Sequence, residues 1–360
     1  MKSTGRIFSL LLVLCSVLSL FSSCGAETTS SATGIPETTS TSGSSFSVPA
    51  SGSSISETTK EETDLKVNFQ YTDEGYTDHA ALSRKAAADG MVLLENKNQA
   101  LPLKKEDTVA LFGKGQIDFY KGGTGSGDVN ALYTVHPLEG LRNKVKEGKV
   151  GLYEELAQKY EANTSFKPDE STVKKAAETA NTAILVISRN TGEMYDRKNN
   201  PGDFRLSKEE ETLLKQILDA GFSKTVVVMN IPSVMDLSFI NTYPDISSLL
   251  IAWQPGMEGG NALADVLCGD VNPSGKLTDT IATSYKYYPS ADTFNSISSS
   301  EEYREDIYVG YRYFETFDPE YKTVLYPFGY GLSYTDFELG TPTVEHNSTV
   351  LRVKIEVKNT

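Results

Sequence analysis

Between residues 108 and 253 the chain repeats one pattern, a short run of apolar, largely β-branched residues followed by a stretch with helical spacing. The runs fall at 108–112, 183–187, 225–229 and 248–253. Each is continuously apolar rather than alternating, as expected of strands buried on both faces. Helical candidates lie around them, at 79–96, 170–182, 207–220 and 259–267. Ser207 followed by Glu210 predicts a capping box, and Gly221 predicts a stop after Ala220. Buried strands alternating with amphipathic helices indicate an α/β fold, a layered α/β sandwich with a mainly parallel sheet. The expected extent of this domain is 64–285. Ligands of such sheets bind beyond the carboxyl ends of the strands. The loops after Phe112, Ile187, Met229 and Trp253 are therefore where chemistry is expected.

The flanking segments have other textures. Lys2 and Arg6 precede an apolar stretch, 7–21, of about 15 residues, which is short for a membrane span and suited to a signal-peptide core. Small residues then lead into Cys24, a pattern that resembles a bacterial lipobox, so 1–24 is expected to be a lipoprotein signal with lipid on Cys24. In 25–63 roughly half the residues are Ser or Thr, too few large apolar groups to offset ordering, and a flexible tether is expected. Segment 286–336 is rich in Tyr, Pro and Gly and is expected to form aromatic loops packed on a domain face. A period-two pattern at Val350, Leu351, Val353, Ile355 and Val357 is expected to begin a truncated β-sandwich-like module over 337–360, with about two strands made.

Composition removes several function classes. The formal net charge is −14, which opposes binding to a polyanion, so no nucleic-acid partner is expected. Of the three cysteines, Cys15 leaves with the signal and Cys24 carries the lipid, which leaves Cys268 without a disulfide partner. His79, His136 and His346 show no ligand spacing with it, so neither metal nor cofactor is expected. The glycine-rich stretch 122–127 lacks the Lys-Ser/Thr ending of a phosphate loop. It reads better as a tight loop lining a cleft, with Lys121 and Asp128 at its shoulders. Trp253, the only tryptophan, reads as a core residue before a stacking platform.

Four collinear segments carry a family resemblance. They are 87–96 with Leu101-Pro102-Leu103; 122–129; Gly192-Glu193-Met194-Tyr195-Asp196-Arg197 with Gly202-Asp203-Phe204; and 253–267 continuing to 272–277. Together with 308–314 and 326–334, they resemble the C-terminal α/β domain of family 3 glycoside hydrolases and the start of its fibronectin type III-like module. The resemblance implies a retaining β-glycosidase, most often a β-glucosidase, acting on β-glucosides or short oligosaccharides.

Retention uses two carboxyl groups, one protonating the leaving oxygen and one attacking the anomeric carbon. The resemblance maps the acid/base onto Glu193, just past the 183–187 strand, although the family's usual glycine after it is Met194 here. Acid catalysis near neutral pH requires that its pKa be raised by burial or a neighbouring carboxylate. Asp203 is the reserve candidate, and Lys121, Asp128, Asp196 and Arg197 are candidate substrate contacts. Arg197 is expected to pair with one of the aspartates and fix the loop. The family's nucleophile sits on a (β/α)8 barrel, and no stretch here builds one. With a signal and tether first, the resemblance implies the reversed domain order, the barrel following the α/β domain. The chain alone is then expected to be inactive. The competing reading is a non-catalytic surface lipoprotein that binds carbohydrate or docks a partner barrel chain.

Overall fold

The structure, a computed structural model, describes residues 73–192, 196–294, 300 and 302–360, with the side chains of 73–75 excepted. The expected signal, tether and lipidated Cys24, and Glu193 itself, lie outside the described residues.

Six strands form one sheet: β1 (Val92–Asn96), β2 (Thr108–Phe112), β3 (Gly151–Leu152), β4 (Thr182–Ser188), β5 (Lys224–Asn230) and β6 (Ser248–Ile251). Their spatial order is β1-β6-β5-β4-β2-β3, all parallel except β1, which runs antiparallel to β6. Both faces are covered, which explains the unbroken apolar runs. On one face Phe112, Leu185, Val227 and Ile251 meet Leu156 and Tyr160 of α3 (Glu154–Ala162), Val173 of α4 (Glu170–Thr179), and Leu214 and Ile217 of α5 (Lys208–Asp219). On the other, Leu111, Ile184, Val228 and Leu250 meet Ala88 of α1 (Asp73–Gly90) and Leu138 and Leu141 of α2 (Pro137–Lys146). Leu263 and Val266 of α7 (Gly259–Leu267) join them there. A four-residue helix, α6 (Phe239–Thr242), lies between β5 and β6. The expected α/β class and its mainly parallel sheet are what the structure has.

One expected element is corrected. The helix anticipated over 79–96 ends at Gly90, and Val92–Asn96 is strand β1. A short run such as Met91-Val92-Leu93-Leu94 suits a buried helix or a buried strand equally, and pairing with β6 decides it. The capping box is present as expected, the Glu210 N–H donating to Ser207 Oγ at 3.1 Å and the Ser207 N–H to Glu210 Oε2 at 2.8 Å.

The aromatic segment folds back over this core. Its helix α8 (Tyr311–Phe317) is followed by β8 (Val324–Tyr326), which pairs with β7 (Ile281–Ala282). Beyond it the Leu332 N–H donates to the Leu93 carbonyl at 2.7 Å, so the outer edge of β1 is covered rather than left open to other chains. Tyr326 Oη donates to Glu95 Oε1 at 2.8 Å and Tyr334 Oη to the Val266 carbonyl at 2.7 Å, anchoring the aromatic rings by their polar tips. The final segment holds four short strands rather than two: β9 (Phe337–Leu339) pairs with β12 (Val357–Asn359), and β10 (Thr343–His346) with β11 (Leu351–Lys354). Their residues are exposed, Val357 by 57% and Phe337 by 50%.

Candidate active site

The sheet order contains one reversal of direction. From β2 the chain moves outward to β3, then returns to the other side of β2 to lay down β4, β5 and β6. A crevice outside the carboxyl ends of the strands belongs at this reversal, between β2 and β4. The two loops that leave there are 113–136 and 189–206, and they touch. The Thr124 N–H donates to the Thr191 carbonyl at 3.3 Å, and Thr124 and Gly192 form an isolated parallel bridge. A Cβ on Gly192 would lie 1.6 Å from Thr124 Oγ1, so only glycine permits the approach. The glycine-rich segment thus abuts the residue preceding Glu193.

Amide side chains lock the neighbouring loops. Asn230, the last residue of β5 and fully buried, accepts the Tyr120 N–H at 2.8 Å and donates to the Trp253 carbonyl at 2.6 Å. Gln254 Nε2 donates to Asn190 Oδ1 at 3.0 Å. Trp253 takes a left-handed φ of 54°, a strained choice for a bulky residue. Its half-buried ring packs against the core and its Nε1–H donates to the Gly90 carbonyl at 3.1 Å.

The structure gathers only some of the expected site residues. Asp196, Arg197 and Asp203 border one cleft of about 480 Å³ together with Tyr120 and Asn190. Lys121 and Asp128 instead pair with each other at 2.8 Å, and Lys121 Nζ also donates to the Val129 carbonyl, so this pair braces the glycine-rich loop. The expected pairing of Arg197 with an aspartate is not found among the described residues. Arg197 is buried, its Nη1 donating to the Val234 carbonyl at 3.2 Å, whereas Asp196 is exposed and Asp203 Oδ2 accepts the Lys198 N–H at 2.7 Å. The loop is fixed by Arg189, one residue past β4. Its guanidinium grips Glu210 through two hydrogen bonds of 2.7 and 2.6 Å and also donates to the Asp203 carbonyl at 3.1 Å. Glu210 therefore both caps α5 and holds the loop. A charged residue directly after an apolar strand was the signal for Arg189, and an amide ending such a strand was the signal for Asn230.

Comparison with known proteins agrees with this arrangement. The profile described as "Glycosyl hydrolase family 3 C-terminal domain" matches residues 91–334. β-Glucosidase A of Butyrivibrio fibrisolvens is 42% identical over 295 residues, a span of 72% of this chain and 35% of that protein. A β-glucosidase of Ruminococcus albus is 38% identical over 292 residues, 76% of this chain and 30% of its own length. The solved β-glucosidase 3B of Thermotoga neapolitana in complex with glucose superposes with a TM-score of 0.73 at 38% identity, covering 79% of this chain and 42% of that one. The chain spans about a third of the length of the curated relatives it matches. With its doubly covered parallel sheet, its paired loops at the strand reversal and these likenesses, the chain belongs to glycoside hydrolase family 3, which it matches through that family's C-terminal domain.

Proposed function

We propose that this domain supplies the acid/base carboxyl of a retaining β-glycosidase, most plainly a β-glucosidase, with Glu193 in that role. The observation that carries the reading is the place of residue 193 in the chain. It follows Gly192, which the glycine-rich loop abuts, in the loop leaving β4 at the strand reversal. The names of the relatives supply the substrate class. In the first step Glu193 protonates the leaving oxygen while a second carboxylate, about 5–5.5 Å away, attacks the anomeric carbon. In the second step it removes a proton from a water whose oxygen attacks the anomeric carbon and displaces the second carboxylate. The attacking aspartate would come from a (β/α)8 barrel in the whole protein, so the complete reaction belongs to that larger assembly. A reversed domain order, with a fibronectin-like module starting at 337, belongs to the same proposal.

The test uses the full-length protein. Glu193→Gln is expected to lower kcat/KM on an alkyl β-glucoside by about 10³-fold but on a dinitrophenyl β-glucoside by about tenfold or less, because an acidic leaving group departs without protonation. Equal losses on the two substrates would remove Glu193 from the acid role.

The N-terminal pattern supports a further part of the proposal, that the protein is exported and held on the membrane by lipid on Cys24. Cells fed radiolabelled palmitate are expected to label the wild type and not Cys24→Ala. Undiminished label in the variant would discard the anchor.

A further inference from the structure

The cleft that Arg197 borders holds a charge whose donors are only partly used. Arg197 is 92% buried by its 8% exposure, yet only Nη1 has a hydrogen bond, to the Val234 carbonyl. Nε and Nη2 are shielded from solvent and have no partner among the described residues. These two nitrogens share one edge of the guanidinium and present parallel N–H donors, the geometry that grips the two oxygens of a carboxylate. Ser188 ends β4 on the border of the same cleft, and its Oγ is likewise shielded and unpartnered among the described residues. Native proteins rarely leave such groups unsatisfied, and each costs on the order of 1–3 kcal/mol, more for an ion.

Charges of both signs surround the site, Asp196 and Asp203 among them. Arg189 is neutralised by Glu210, and Asp203 is engaged with the Lys198 N–H. Asp196 is exposed, and Lys198 adds a positive charge at the rim. Burial disfavours the charged form of Arg197, and Asp203 offsets this only in part, with Arg189 adding repulsion. A bound anion would offset the burial and the Arg189 repulsion. We infer that the Nε–Nη2 edge of Arg197, in the cleft that Ser188 also borders, is a binding site for a small carboxylate. The carboxylate is either a free organic acid or the acid group of a uronic sugar. The inference does not depend on the glycosidase reading, and its test measures binding rather than activity.

Isothermal titration of the protein at fixed ionic strength with sodium acetate, sodium glucuronate and glucose separates the possibilities. Both carboxylates are expected to bind at millimolar concentration and glucose to give no heat. Arg197→Lys keeps the charge but loses the fork and is expected to weaken binding about tenfold or more. Ser188→Ala, a milder change that protects the test if the first variant does not fold, is expected to weaken it about threefold to tenfold. Glucuronate at least about tenfold tighter than acetate would assign the site to an acidic sugar, and equal affinities to a free acid, either result supporting the carboxylate site. Absence of heat from both salts overturns the inference, as does glucose binding as well as glucuronate or full affinity in both variants.

Discussion

Asp265→Asn is expected to destabilise the domain by about 3 kcal/mol or more at neutral pH, a drop in Tm of roughly 5 °C. Asp265 lies in α7 with its side chain 9% exposed and holds two cations from two other helices. Arg84 of α1 donates to it through Nε at 2.5 Å and Nη2 at 2.6 Å, and Lys144 of α2, itself 4% exposed, approaches at 2.7 Å. Lys144 also meets Asp270 at 2.8 Å, and Asp270 in turn pairs with Lys149. Removing the central anion takes from Arg84 and from the buried Lys144 the carboxylate they share, which is costlier than losing an exposed pair such as Lys215–Asp219.

The pH dependence has a definite sign. Burial alone would raise the Asp265 and Asp270 pKa values, but hydrogen bonds from Arg84 and Lys144 to the first, and from Lys144 and Lys149 to the second, outweigh it and hold both below the usual carboxylate range. A depressed carboxylate adds stability above its unfolded pKa of about 3.9 and loses it as pH falls through the folded value. The gap between wild type and variant should therefore be widest at pH 7 and narrow below about pH 4. Urea unfolding at both pH values checks this, and a gap under about 1 kcal/mol at pH 7 would show that the network does not tie these helices together.

This network also marks the limit of what the sequence alone conveys. Arg84, Lys144 and Asp265 are far apart in the chain, and each reads locally as a charge on an amphipathic helix. Only the packing of α1, α2 and α7 on one face turns them into a buried cluster. The strands were legible because burial on both faces writes an unbroken apolar run into the residues themselves. The capping box of Ser207 and Glu210 was legible because its partners lie three residues apart. The second role of Glu210, gripping Arg189, was not, since nothing local distinguishes a glutamate that reaches across to another loop. The same holds for the site. The loops could be placed after β2 and β4 from order alone. The mutual pairing of Lys121 with Asp128, and the burial of Arg197 away from Asp196, depend on how those loops cross.

A close backbone-to-backbone contact lies where α2 and α7 begin, and Gly260→Ala is expected to cost about 2–3 kcal/mol there. A Cβ on Gly260 would sit 2.2 Å from the His136 carbonyl oxygen and 2.7 Å from that of Val135. Reciprocally, a Cβ on Gly140 would sit 2.0 Å from the Gly260 carbonyl oxygen, so the two helices meet backbone to backbone. The contact is fastened by the Gly260 N–H donating to the Val135 carbonyl at 2.9 Å and the Val135 N–H to the Met257 carbonyl at 2.8 Å. Backbone cannot rotate aside as a flexible side chain does, so the helices must separate by more than about 1 Å, loosening Leu138 and Leu141 against Leu263 and straining the Gly260 hydrogen bond. Alanine recovers about 1 kcal/mol through its better helix propensity, which is already set against the total. Gly90→Ala is the control, because a Cβ there meets nothing within 4 Å, and it should change stability by less than about 1 kcal/mol. Denaturant unfolding of the two variants side by side decides the matter. A Gly260→Ala protein as stable as the Gly90→Ala protein would mean that the helices are free to part.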